Sequence, residues 1–64
     1  MDYEVLAEEM VKECLMNVQY ISDLLKVEPN EQKRILLTHS LKQAKMKLRK
    51  ANAQLEYAKE LKEW

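Results

Sequence analysis

The single histidine and the single cysteine of this 64-residue sequence are the side chains best suited to catalysis. His39 could act as a general base or accept a phosphoryl group, because histidine exchanges protons near neutral pH. Such a role needs an acidic partner that orients the ring, and no Asp or Glu occurs between Glu31 and Glu56. His39 also falls on the outer side of a predicted helix. The sequence therefore favours a solvent-exposed histidine without a catalytic role.

Cys14 could act as a nucleophile only as a thiolate. It falls within a row of apolar residues, which favours packing as a small hydrophobic side chain. A lone cysteine also excludes an intrachain disulfide, and no cluster of Cys, His and carboxylates has the spacing of a metal site. We therefore expect no enzymatic activity, no cofactor, no metal and no small-molecule substrate.

Basic side chains are the third candidate for chemistry. Seven of them lie within eighteen residues that contain no acid: Lys33, Arg34, Lys42, Lys45, Lys47, Arg49 and Lys50. On a helix, one stripe would contain Arg34, Lys42, Lys45, Arg49 and Asn52. Such a stripe, repeated in a symmetric dimer, could follow a phosphate backbone. Because it lacks aromatic residues and the chain has zero net charge, a solvated or interhelical role is favoured, and RNA or DNA binding is the alternative hypothesis.

The elements that position these side chains are indicated by the spacing of apolar residues. In the second half of the chain they alternate at steps of four and three: Leu37, Leu41, Ala44, Leu48, Ala51, Leu55 and Ala58. The first half has a similar row: Ala7, Val11, Cys14, Val18, Ile21 and Leu25. This spacing keeps one side of a helix against another helix. We call the two rows the seams, and they predict two helices that pack together.

The boundary between the helices is marked by Pro29, the only proline. Proline lacks an amide hydrogen and disfavours helical backbone at the residue before it, so the first helix should end near Val27. Pro29 also suits the first position of the next helix, with Glu28 or Asn30 as candidate caps. Asp2 is the expected cap of the first helix.

The predicted fold is all-α: a single domain, residues 1–64, in which helices of about 2–27 and 30–62 form an antiparallel hairpin. A loop of two to four residues enforces the antiparallel arrangement. Folding about the proline pairs the two seams as Ile21/Leu37, Val18/Leu41, Cys14/Ala44, Val11/Leu48 and Ala7/Ala51. This register ends the first helix opposite Leu55, so residues 56–64 should overhang.

Charge is divided between the two halves, although the net charge is zero. Up to Glu28 there are seven acidic and two basic residues, whereas the remainder has nine basic and four acidic residues. The hairpin would place three acids near three bases, namely Glu8, Glu9 and Glu13 near Lys45, Arg49 and Lys50. We therefore expect the two helices to neutralise each other in part.

Apolar residues outside the seams exceed what one pair of helices can cover. They are Leu6, Met10, Leu15, Met16 and Leu24 in the first half and Ile35, Leu36, Met46, Tyr57 and Leu61 in the second. Seam alanines also permit close helix approach and leave volume for side chains from elsewhere. We therefore expect a homodimer that forms a four-helix bundle, with a hairpin completed by a different protein and a higher assembly as alternatives.

Some exposed apolar residues are also candidates for contact with a protein partner of unknown identity: Met46, Tyr57, Leu61 and Trp64. The leading hypothesis is a small non-enzymatic interaction protein, such as a regulator, inhibitor or assembly factor of bacterial or phage type. The N-terminus lacks the features of a signal peptide, and no apolar run approaches the roughly 18 to 20 residues that span a bilayer. A cytoplasmic protein without membrane contact is expected.

Two families of helical hairpins bear on function. The overall plan resembles the plasmid repressor-of-primer family, which binds paired RNA loops. This resemblance is architectural and rests on no shared motif, so it implies RNA binding without identifying contact residues. The short sporulation phosphatases of bacilli carry a Ser-Gln-Glu-Leu-Asp motif, and the nearest stretch here, His39 to Gln43, contains no acid. That difference argues against phosphatase chemistry.

Overall fold

The computed structural model describes residues 2–62, which form two helices. Helix α1 covers Tyr3–Val27 and helix α2 covers Glu31–Lys62. The two helices pack against each other as an antiparallel hairpin. The predicted all-helical hairpin is confirmed, and the predicted helix bounds are correct to within one residue at each end.

The first helix begins and ends where local chemistry predicts. The Asp2 carboxylate Oδ1 accepts a hydrogen bond from the Glu4 amide at 3.0 Å, which satisfies one free N–H of the first turn. At the other end, Glu28 has extended backbone angles, φ −74° and ψ 116°, immediately before Pro29. The predicted cap at Asp2 and the helix stop before Pro29 are both confirmed.

The second helix begins two residues after Pro29, so the prediction that Pro29 occupies its first position is wrong. Asn30 caps this helix instead. Its Oδ1 accepts from the Lys33 amide at 3.1 Å, and its carbonyl accepts from the Arg34 amide at 2.9 Å. The other candidate cap, Glu28, accepts from the Asn30 amide at 3.1 Å and thereby fixes the loop.

The hairpin is a thin rod, with Cα extents of 51 × 14 × 13 Å. A helix rises 1.5 Å per residue, so the 32 residues of α2 are about 48 Å long. The length of α2 therefore sets the length of the rod, and α1 lies beside it.

Both seams lie between the helices, because every seam residue is buried or half-buried. The buried residues of the described chain are four alanines, Ala7, Ala44, Ala51 and Ala58, which are 3–9% exposed. None of the larger side chains described is fully buried. Small seam residues allow the helix backbones to approach closely, and they leave the hairpin with a narrow core.

The register of the two helices is offset from the predicted one. Tyr3 and Ala58 line the same groove, and Leu24 and Leu36 line another. The start of α1 thus lies beside the stretch of α2 around Ala58, beyond Leu55, the predicted partner of Tyr3. The predicted overhang beginning at residue 56 is wrong at Ala58, which is only 9% exposed.

Hydrogen bonds at the loop join the start of α2 to the end of α1. Arg34 Nη1 donates to the carbonyls of Leu25, at 3.0 Å, and Glu28, at 3.2 Å. A helix C-terminus leaves carbonyls without intrahelical partners, and a guanidinium group can satisfy them. These bonds hold the first turn of α2 over the end of α1, and the seam residues are buried or half-buried in this register.

Candidate interaction faces

One flank of the seams, which we call the apolar face, carries a second row of residues on each helix at steps of three and four. The α1 row is Tyr3, Leu6, Met10, Glu13, Asn17, Tyr20, Leu24 and Val27. The α2 row is Lys33, Leu36, Ser40, Gln43, Lys47, Lys50, Gln54, Tyr57 and Leu61. The six apolar side chains of the α1 row are 36–76% exposed. The hairpin alone therefore leaves this face uncovered.

At the open end of the hairpin, the two rows meet in an apolar groove of about 440 Å³. Its lining consists of Tyr3, Leu6, Ala7, Met10, Gln54, Tyr57, Ala58 and Leu61. The side chains of Tyr3 and Tyr57 are 72% and 63% exposed. Tyrosine and methionine are enriched in the centres of protein–protein interfaces. The composition of this groove suits contact with another protein.

A smaller groove of about 240 Å³ lies on the same face near the loop. Its apolar lining comes from Leu24, Leu36 and Leu37, and the charged side chains of Glu28 and Lys33 border it. The apolar face thus has apolar side chains near both of its ends.

The middle of the apolar face is polar. Here α1 contributes Glu13 and Asn17, and α2 contributes Lys47 and Lys50, all of them exposed. The acid lies on one helix and the bases lie on the other. In this part of the apolar face, the negative charge therefore lies on α1 and the positive charges lie on α2.

The predicted nucleic-acid residues lie on the other flank of the seam of α2. All five are exposed: Arg34, Lys42, Lys45, Arg49 and Asn52. The structural role of Arg34 was not predicted from the sequence. Its side chain donates hydrogen bonds to backbone carbonyls at the end of α1. Nucleic-acid contact by the other members of the stripe stays a prediction.

Ion pairs do not join the two helices between residues 5 and 61. The pairs found there lie within a helix, Lys26 with Asp23 at 4.0 Å and Lys59 with Glu56 at 3.9 Å. Exposed pairs of this kind contribute at most about 1 kcal/mol to stability. The expected partial neutralisation of α1 by α2 is therefore not made by direct ion pairs in this part of the hairpin, and neutralisation over longer distances stays a prediction.

The two candidate catalytic residues occupy the positions predicted for them. His39 is exposed, and the Gln43 side-chain amide donates to its Nε2 at 3.2 Å. Cys14 is half-buried in the seam. Within the described chain, no group of three or more His, Cys, Asp or Glu side chains could hold a metal ion. Residues 2–62 also contain no helix with the length and apolar character needed to cross a membrane.

The predicted partner-binding residues do not share one surface. Tyr57 and Leu61 line the open-end groove, whereas Met46 is 59% exposed on the outer side of α2, away from that groove. Trp64 lies outside the described residues. The contribution of α1 to this groove, which includes the side chains of Tyr3 and Leu6, was not predicted from the sequence. The signal was present as the second row of apolar residues beside the seam.

Comparison with known proteins adds no family to this description. No protein family, curated protein or solved structure gives a significant match to the chain.

Proposed function

We propose that this chain is a non-enzymatic protein-interaction module, a helical hairpin that dimerises through its apolar face and acts on a helical surface of a larger protein. Such a module would serve as a regulator, inhibitor or assembly factor of bacterial or phage type. The supporting observation is the contrast between core and surface. The buried apolar residues are four alanines, while fourteen large apolar side chains of the described chain are exposed.

The narrow core contributes little free energy of folding, so association with a partner would stabilise the hairpin. In chains below about 70 to 80 residues, even a well-filled core rarely supplies more than about 3–5 kcal/mol. Burying alanine contributes less than burying leucine, and the lone Cys14 cannot form an intrachain disulfide. A second hairpin would remove exposed apolar surface from water, at about 25 cal/mol per Å². The proposal places the chain in the cytoplasm, where a single thiol stays reduced.

The test of this proposal is a pair of matched variants on α1. Leu6 belongs to the apolar face and is 42% exposed, whereas Leu15 lies on the other flank and is 51% exposed. We expect the native chain to have twice its 7.7 kDa mass by light scattering at micromolar concentration. Leu6→Asp should give a monomer, because it places a charge in the covered groove. Leu15→Asp should remain a dimer.

A fully helical native chain that is monomeric at this concentration would contradict the proposed dimer. Equal loss of mass in both variants would show that the apolar face has no special role in association. Far-ultraviolet circular dichroism distinguishes these outcomes from simple unfolding.

A second candidate function, binding of RNA or DNA, is favoured by Lys42, Lys45 and Arg49. These side chains are exposed, make no ion pair within residues 5–61, and lie outside the apolar face. A gel-shift titration at low salt tests this function, because phosphate-driven binding is strongest there. Replacement of all three by Gln should abolish a genuine complex.

The control for this titration is the triple variant Lys12→Gln, Lys26→Gln and Lys59→Gln, which changes the net charge equally at exposed positions outside both the predicted stripe and the apolar face. A complex that both triple variants weaken equally reflects net charge rather than the stripe. No complex with generic RNA or DNA at low salt would reject nucleic-acid binding.

A further inference from the structure

The apolar face allows a second copy of this chain to sit on it in two ways. Identical partners are normally related by a two-fold axis. If the axis runs across the helices, α1 lies on α1 of the second copy, and the two loops are at opposite ends. If the axis runs along the helices, α1 lies on α2 of the second copy, and the two loops are at the same end.

Apolar contacts alone do not distinguish these arrangements, because the face has apolar side chains near both ends. An axis across the helices sets Leu36 level with Tyr57 of the second copy. An axis along the helices sets Leu6 against Tyr57 and Leu24 against Leu36 of the second copy, because each of these pairs lines one groove of the hairpin. Either arrangement covers the two grooves.

The charged side chains in the middle of the apolar face distinguish the two arrangements of the dimer. Since the start of α1 lies beside the stretch of α2 around Ala58, Glu13 on α1 lies beside the stretch of α2 that contains Lys47 and Lys50. An axis across the helices brings the two Glu13 side chains together. It also brings Lys47 and Lys50 of one copy close to Lys47 and Lys50 of the other. An axis along the helices sets each Glu13 against the two lysines of the other copy. Like charges that meet across an interface are unfavourable, and opposite charges steer association.

The charge of the whole helices favours the same arrangement. Residues up to Glu28 have an excess of acids, and the remainder has an excess of bases. Between residues 5 and 61 these charges form no ion pairs between α1 and α2 of one hairpin. They are therefore available to the second copy.

We propose that the apolar face is covered by a second copy of this chain with the two-fold axis along the helices, so that each α1 lies on α2 of the other copy and both loops lie at one end. This topology rests on the dimerisation in the proposed function and adds its geometry. The product is a four-helix bundle in which acidic and basic helices alternate. The stripes containing Lys42, Lys45 and Arg49 lie outside this interface.

Distances between spin labels in the full-length dimer test the topology. The label is attached at Gln32→Cys, an exposed position at the loop end of α2, in a Cys14→Ala background. With both loops at one end, the two labels should be below about 30 Å apart, since bundle helices pack about 10 Å from their neighbours. With loops at opposite ends, the distance would approach the 51 Å length of the rod.

A label at Met46→Cys, near the middle of the rod, is the matched control, because both arrangements keep its two copies close. A short distance at residue 32 supports the proposed topology. A long distance at residue 32 with a short one at residue 46 overturns the topology and leaves the dimer intact. A monomeric mass without measurable coupling at either position overturns the dimer itself.

Charge reversal gives a second test. Glu13→Lys should weaken dimerisation about tenfold, because two attractive contacts of the bundle become repulsive and each is of the order of a surface ion pair. Glu9→Lys changes the net charge equally on the outer side of α1 and should leave the dissociation constant nearly unchanged. An axis across the helices predicts a smaller loss for Glu13→Lys, since one like-charge contact, Glu–Glu, is exchanged for another, Lys–Lys. Equal dissociation constants for the two variants would therefore overturn the proposal.

Discussion

The two ends of the hairpin are held together by different forces. At the loop end, hydrogen bonds fix the turn: Asn30 caps α2, and Arg34 binds the last carbonyls of α1. At the open end, Ala7 and Ala58 are buried beneath an apolar groove that is exposed to solvent. The loop end is therefore fixed by hydrogen bonds within one chain, whereas the larger of the two grooves on the apolar face lies at the open end.

This difference implies unequal coupling of the two ends to association. Hydrogen bonds between residues close in sequence form without a partner, and they order the loop at any protein concentration. Leu6 and Tyr57, which are 42% and 63% exposed, can be fully buried only when another surface covers them. We expect the open end to be the less stable part of an isolated hairpin.

The largest effect should come from separating the helices towards the open end. Ala51 is 3% exposed between α1 and α2, and a leucine there would force the helices apart. Ala51→Leu should lower the free energy of unfolding by about 1–3 kcal/mol, as overpacking does. Urea denaturation at a fixed protein concentration measures the change. Ala53→Leu, on the exposed side of α2, is the control, and equal stability of the two variants would contradict close helix contact.

Loss of the cap at the loop end should have the next largest effect. Asn30→Ala removes the acceptor of the Lys33 amide and should lower the free energy of unfolding by about 1 kcal/mol. Asn52→Ala makes the same replacement at an exposed position within α2, where alanine is the better helix former. Asn52→Ala should therefore be neutral or slightly stabilising, and a loss equal to that of Asn30→Ala would contradict the capping role.

Features governed by local chemistry could be predicted from the sequence. Proline restricts the backbone before it, so the end of α1 at Val27 follows from Pro29 alone. The apolar spacing likewise identified the residues that lie between the helices. Tyr57 and Leu61 were recognised as candidate contacts because they fall outside the seam.

The register could not be predicted because the seams repeat. A shift of one helix along the other still brings seam residues together, because apolar residues recur every three or four positions on both helices. The Arg34 bonds that accompany the shift reach six and nine residues back to backbone carbonyls, and no spacing pattern reports them. The wrong register moved α1 away from the end of α2. The joint groove containing Tyr3 and Tyr57 was missed as a result.

Removing the guanidinium at the loop end should have a smaller effect than removing the Asn30 cap. Arg34→Gln deletes the donor to Leu25 and Glu28, and because Arg34 is exposed, water replaces part of what is lost. The free energy of unfolding should fall by about 0.5–1 kcal/mol. Lys42→Gln, which removes a charge from the same stripe, should change it little. Equal losses in the two variants would assign the effect to charge and not to the hydrogen bonds.

The smallest effect should come from the equivalent cap at the open end. Asp2→Ala removes the acceptor of the Glu4 amide, as Asn30→Ala removes that of the Lys33 amide. The first turn of α1 is largely exposed, with Tyr3 at 72%, so it can fray without separating the helices. The loss should be about 0.5 kcal/mol, the lower end of the range for a helix cap, with faster hydrogen exchange confined to that turn. A loss as large as that of Asn30→Ala would mean that the open end is coupled to the rest of the fold as tightly as the loop end, and the distinction between the two ends would fail.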